Sequence, residues 1–159
     1  MIVEERIREM GLVLPALLQV PADVRLPFSS VRIVGDRAYI SGHGPQAPDG
    51  TISGPFGKVG DEVTLAEAQA SARLVGLSIL ASLRRTLGDL DRVTAWARVF
   101  GMVATAPGFD RMPAVINGFS DLILELYGDA GAHARSAVGV ASLPFGIPVE
   151  IEAEVAIRA

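Results

Sequence analysis

Between Val149 and Ile157 the chain alternates without a fault: Val149, Ile151, Ala153, Val155 and Ile157 share one parity, and Glu150, Glu152 and Glu154 the other. A period of two is strand spacing, so this stretch predicts a strand with one buried face and one face carrying three carboxylates. The same period runs through residues 31–41, VRIVGDRAYIS, broken only at Gly35-Asp36, which predicts a β-hairpin. Residues 92–104 are rich in β-branched and aromatic types and predict a further strand with Val93, Ala95, Ala97 and Val99 on one face. Arg135 to Ser142 predicts another, separated from the last by Leu-Pro-Phe-Gly-Ile-Pro. Helical spacing governs the segments between. Thr64 and Glu67 stand at capping-box distance, and Leu65, Ala68, Ala72, Val75, Ile79, Leu83 and Leu87 step by three and four until Gly88 stops the run. A second helix is predicted from about Phe109 to Tyr127, with Asn117-Gly118 in its middle as a local weakness that something must offset.

Ahead of the hairpin, Val3 to Leu14 reads as a short amphipathic helix stopped by Pro15, and residues 15–27 hold three prolines without a period. Residues 1–25 are therefore expected to form an N-terminal extension, a short helix and a Pro-rich lead-in, packed outside the core of a domain spanning 26–159. Residues 42–60 contain six glycines and three prolines and read as a loop, with a short strand near Thr51-Ile52. The order ββαβαββ makes an α+β domain in which one sheet carries two helices on one face. A single helical layer leaves the other face uncovered, to be solvent, an interface or a site.

Composition sharpens this picture at three points. With 159 residues, half of them hydrophobic but only 6% aromatic, the chain has more aliphatic surface than one small core needs. The surplus predicts a homo-oligomer. A net charge of −4 and no basic run longer than Arg84-Arg85 disfavour nucleic acid as a partner. The absence of cysteine excludes thiolate chemistry, and His43 and His133 are far apart in sequence, so that they make at most a weak metal site. The N-terminal residues lack the apolar core of a secretory leader, and no uncharged apolar run reaches the ~18 residues of a membrane span, so the expected location is cytoplasmic.

Ala134-Arg135-Ser136-Ala137-Val138-Gly139-Val140, then Leu143-Pro144, then Val149-Glu150-Ile151-Glu152-Ala153, resembles the signature of the Rid/YjgF family. Upstream, Pro27-Phe28, the hairpin, Ile40-Ser41-Gly42-His43-Gly44-Pro45 and Asn117 match the same family, so that the resemblance covers about residues 26–158. It implies a chorismate-mutase-like fold and a homotrimer whose sheets form a central barrel, with a cleft between each pair of subunits. It further implies hydrolysis of reactive enamines and imines to a 2-keto acid and ammonia. In that scheme Arg135 pairs with the substrate carboxylate, Glu150 places or activates water, and Ser41, Asn117, Phe28 and Ala137 line the cleft; no metal or cofactor takes part. Phe28 stands where the family often has tyrosine, Ala137 where it often has cysteine, and Gly139 where it has glutamate. Ala137 and Gly139 are expected to widen the space beside Arg135 for a larger or more apolar ligand.

Taken without the resemblance, Arg135 is a strand-end arginine in a surface ion pair, Glu150 one of three solvated glutamates, Ser41 a hairpin-end hydroxyl bonded to backbone, Asn117 a helix-surface amide and His43 an exposed histidine. Three functions stay open: the imine deaminase, a catalytically silent trimer binding small carboxylates or a protein partner, and an endoribonuclease, which the charge disfavours. Geometry adds one constraint. Were the last two strands a simple hairpin, Arg135 would lie six residues, ~20 Å, from Glu150's partner. Either the strands are not neighbours or the site joins two subunits.

Overall fold

The structure, a computed structural model, describes residues 2–159. Its elements are α1 (Ile2–Glu9), β1 (Val31–Val34), β2 (Arg37–His43), α2 (Leu65–Leu87), β3 (Val93–Ala104), α3 (Met112–Tyr127), β4 (Ala134–Val140) and β5 (Val149–Ile157). They build one mixed sheet in the order β1-β2-β5-β3-β4, in which β3 and β4 are parallel and every other pair is antiparallel. β4 and β5 are thus not neighbours: both flank β3. No helix among the described residues is long and apolar enough to cross a membrane.

Local chemistry accounts for the element ends. Thr64 Oγ1 accepts from Glu67 N–H while the Glu67 carboxylate accepts from Thr64 N–H, closing the capping box that starts α2. Gly88, at φ 81°, ends the helix in the left-handed region. α3 starts at Met112, later than the expected Phe109, because Pro113 occupies the first turn, where its missing N–H costs nothing.

The parity of β3 departs from the expected one. Val93, Trp96, Val99 and Val103 are buried, whereas Ala95 and Ala97 are not. Two irregularities in the β3–β5 register, between Val93 and Ala95 and between Trp96 and Arg98, change the count of residues along β3. Bulges of this kind are invisible to a period-two reading. They bring Trp96 into the core, edge-on to Phe119 and Tyr127 with ring centroids 5.9 and 5.8 Å away.

The expectation that residues 1–25 pack outside the core does not hold. α1 spans only Ile2–Glu9, yet Val3 and Ile7 are 4% exposed and belong to the core cluster. The helix is docked by side chains distant in sequence: Ile2 and Val3 N–H donate to the Asp91 carboxylate at 2.6 and 2.9 Å, and Glu4 Oε1 accepts from Leu90 N–H at 3.0 Å. Arg6 donates to the Leu126 carbonyl at 2.6 Å. The lead-in that follows is also tied down. Ala16 N–H donates to Pro48 O and Gln19 N–H to Gly50 O, both at 2.9 Å.

A candidate ligand site in two halves

The register from Arg98 to Val103 is regular and decides which face of the sheet each candidate residue occupies. Arg135 lies beside Val99, on the buried face under the helices, while Glu150 lies beside Met102, on the opposite face. Within one chain the two cannot meet. The candidate residues accordingly form two groups.

The first group surrounds Arg135. Its guanidinium donates to Asn117 Oδ1 at 2.9 Å, Ser120 Oγ at 3.0 Å and the Pro113 carbonyl at 3.3 Å, all on α3. Among the described residues no carboxylate lies within ion-pair distance of it, so this is not the surface ion pair of a generic strand arginine. The positive charge is held in place by neutral acceptors and stays uncompensated. Behind Ser120 sits His133. Its Nδ1 faces the Gly131 carbonyl at 2.7 Å and its Nε2 faces Ser120 Oγ at 2.8 Å. Burial, with a smaller contribution from Arg135, lowers the His133 pKa. A neutral ring facing a carbonyl must carry its proton on Nδ1, so Nε2 accepts from the Ser120 hydroxyl, whose oxygen accepts from Arg135. Ala137 packs against the core, and a Cβ on Gly139 would lie 2.9 Å from Thr105 Oγ1. Neither residue opens space beside Arg135, contrary to expectation: the core and Thr105 fill it.

The second group lines a cavity of about 370 Å³ on the β1–β2 side, into which Phe28, Ser41 and Glu150 all face. The β2–β5 register shifts between Ile40 and His43, so that Ser41 and Gly42 together span one residue of β5. That bulge turns His43 towards α2. Its Nδ1 faces Ser41 O at 2.6 Å and its Nε2 faces Ser82 Oγ at 2.8 Å, which in turn accepts from Arg85 Nη2 at 3.3 Å. His43, its pKa lowered chiefly by burial, is half-buried rather than exposed. Both histidines of the chain thus stand in the same Arg–Ser–His–carbonyl series, one in each group.

Glu150 packs beneath Gly42. A Cβ there would meet Glu150 Oε2 at 2.5 Å, so only glycine leaves the carboxylate its place. Burial first, and the Glu152 charge second, raise the Glu150 pKa above its usual 4.5. Ser41 Oγ donates to Ser29 O at 2.7 Å, as a hairpin-end hydroxyl does, while also facing the cavity. Of the other glutamates on this face, Glu154 lies 3.7 Å from Arg37 in a partly exposed ion pair. Arg85, Ser82, Ser120 and the histidine pairings escaped the sequence reading. The available signal was Ser82 and Ser120 falling on the apolar faces of their helices, where a hydroxyl needs a partner.

Residues 4–148 match the family described as "YjgF/chorismate mutase-like, putative endoribonuclease". Protein TCP17 of Trypanosoma cruzi is 37% identical over 153 residues, 95% of this chain and 91% of that protein. The crystal structure of Atu1372 from Agrobacterium tumefaciens, a protein of unknown function, is 38% identical with a TM-score of 0.88, covering 99% of this chain and 93% of that one. RidA from the Antarctic bacterium Psychrobacter is 27% identical with a TM-score of 0.57, covering 89% and 99%. With a match over nearly its whole length, the chain belongs to the YjgF/chorismate-mutase-like family.

Proposed function

We propose that this protein is a homotrimeric imine and enamine deaminase, whose site is completed when Arg135 of one subunit faces Ser41, Phe28 and Glu150 of the next. The observation that carries the reading is the Arg135 guanidinium, oriented by Asn117, Ser120 and the Pro113 carbonyl yet paired with no carboxylate among the described residues. An oriented, uncompensated guanidinium on an edge strand offers a planar fork to a ligand carboxylate. Two further features support the assembly. β4 is an edge strand of the sheet, and the uncovered sheet face carries Tyr39, Phe100 and Met102 among its charges.

In this reading Arg135 anchors the substrate carboxylate and so fixes the adjacent C=N carbon. Glu150, made more basic by burial and by Glu152, takes a proton from the attacking water. The oxygen bonds to the carbon and the C=N π pair moves to nitrogen. Glu150 returns that proton to nitrogen, giving a neutral carbinolamine, then takes the carbinol O–H proton and passes it to the amino nitrogen; as the C=O bond forms the C–N bond breaks with its pair on nitrogen, and ammonia leaves a 2-keto acid. An imine is already electrophilic, so orientation and one proton carrier suffice.

The test is 2-keto acid release from an imine generated in the assay by an amino-acid oxidase, compared between wild type and Arg135→Ala. Acceleration over the spontaneous rate is expected for wild type and its loss in the variant. Equal acceleration by both would overturn the reading, and sedimentation at the monomer mass would overturn its trimeric form.

A further inference from the structure

We infer that the cavity beside Glu150 is the side-chain pocket of the ligand site, and that it selects carboxylates bearing a bulky apolar group, aromatic or branched aliphatic, over small ones. The inference rests on the reading of Glu150 and Arg135 given above and adds the substrate class.

The first argument is the wall. Leu17, Leu18, Leu26 and Phe28 of the lead-in line the cavity together with Phe145 and Ile147. Leu17 is 69% exposed, Phe28 59%, Leu26 and Phe145 45% and Leu18 43%. Scattered exposed leucines need no explanation, but bare apolar side chains ringing one hollow point to something that covers them. The cavity lies at the lower end of the ~300–1,000 Å³ range of small-molecule sites, well beyond what a methyl or ethyl side chain fills.

The wall is also built rather than loosely draped. Besides the two backbone bonds to Pro48 and Gly50, Gln46 Nε2 donates to Ala16 O at 3.1 Å and Arg85 Nη1 to Pro15 O at 3.2 Å. Gly50 is required for this seat, since a Cβ there would lie 2.1 Å from Leu17 O. On the opposite rim Phe145 holds φ 60°, a left-handed conformation that an aromatic residue seldom adopts. Such strain persists only where the surroundings enforce it, and it clusters at ligand sites. Finally, polar groups are the minority at this cavity: Ser41, His43, Arg85 and Glu150, with Ser30, Gln46 and Ser82, stand among more numerous aliphatic, aromatic and proline neighbours. A few polar groups in an apolar hollow orient a ligand, and the hollow discriminates by size.

The experiment is calorimetric titration of the full chain with phenylpyruvate, 4-methyl-2-oxopentanoate and pyruvate, for wild type, Leu26→Ser, Phe28→Ala and Arg135→Ala. Both larger acids are expected to bind at least ~10-fold more tightly than pyruvate, the gain one or two buried methylenes provide. Leu26→Ser and Phe28→Ala, both at exposed positions, should each shrink that ratio several-fold, whereas Arg135→Ala should weaken all three acids alike. Equal affinity for the three acids, with Arg135→Ala still weakening them, overturns the pocket and leaves the proposed function standing. A preference indifferent to both Leu26→Ser and Phe28→Ala also overturns it. Binding of none of the three overturns both readings.

Discussion

Replacing Gly118 by alanine sets two effects of known size against each other. Gly118 lies in the middle of α3, where glycine costs about 1 kcal/mol relative to alanine, so helix propensity alone predicts that the change stabilises. The tertiary contact predicts the reverse. A Cβ at Gly118 would lie 2.1 Å from Gln69 O and 2.9 Å from Gln69 C, atoms of the α2 backbone that have no rotamer to yield. Ordinary contact needs at least ~3 Å, so the helices would have to part by about 1 Å. Gln69 Nε2 donates to Ala114 O at 2.9 Å and resists that separation, as do Phe119 and Leu122, both fully buried. Overpacking a tight core costs ~1–3 kcal/mol, and more where backbone must shift. A rigid backbone contact takes the upper end of that cost, about 3 kcal/mol; subtracting the propensity gain of about 1 kcal/mol leaves a net destabilisation of about 2 kcal/mol, or roughly 4–8 °C in Tm at this chain length. Denaturant unfolding of both proteins at one fixed concentration measures it. The variant should also weaken ligand binding, because Asn117, one residue away, orients Arg135. A Gly118→Ala protein as stable as wild type, or more so, would refute the reasoning.

Three further outcomes follow from the geometry. Since burial and the Glu152 charge both raise the Glu150 pKa, the rise with pH of the proposed deaminase rate should be centred above 4.5, should move to lower pH in Glu152→Gln, and should vanish in Glu150→Gln; a limb unmoved by Glu152→Gln counts against the assignment. The sign for stability is opposite to that of a salt-bridged carboxylate: the unfolded chain ionises this group first, so its ionisation costs stability as pH rises from 4.5 towards the raised native value. Ile7→Ala, which truncates a 4%-exposed side chain in the core cluster, should cost ~2–5 kcal/mol in denaturant unfolding, and a cost below 0.5 kcal/mol would show that α1 is not part of the core.

Much of the fold was legible in local pattern. The hairpin around Gly35, the capped helix α2 and the alternation of β5 follow from periods and caps that a few neighbouring residues encode. The candidate site was legible in a different sense. Residue types at family spacing singled out Arg135, Glu150, Ser41, Asn117 and Phe28, and the structure brings Arg135 together with Asn117 and gathers the other three at one cavity. Residue size alone is a poor guide to space at Ala137 and Gly139, where the core and Thr105 fill the volume that their small side chains leave.

What the sequence determined by itself is everything carried by short range: which segments form strands and which helices, where α2 is capped, which parity of β5 is apolar, that Gly118 weakens its helix. Tertiary structure alone decided what depends on register and on distant partners. The bulges of β3 and β2 choose the faces of Trp96 and His43. The β3–β4 and β3–β5 registers put Arg135 and Glu150 on opposite sides of the sheet. Asp91 and Glu4 dock α1 into the core across some ninety residues of chain. The reason is physical: a period fixes a side chain's direction relative to its neighbours along the strand, but one inserted residue reverses it, and only the pairing strand records the insertion.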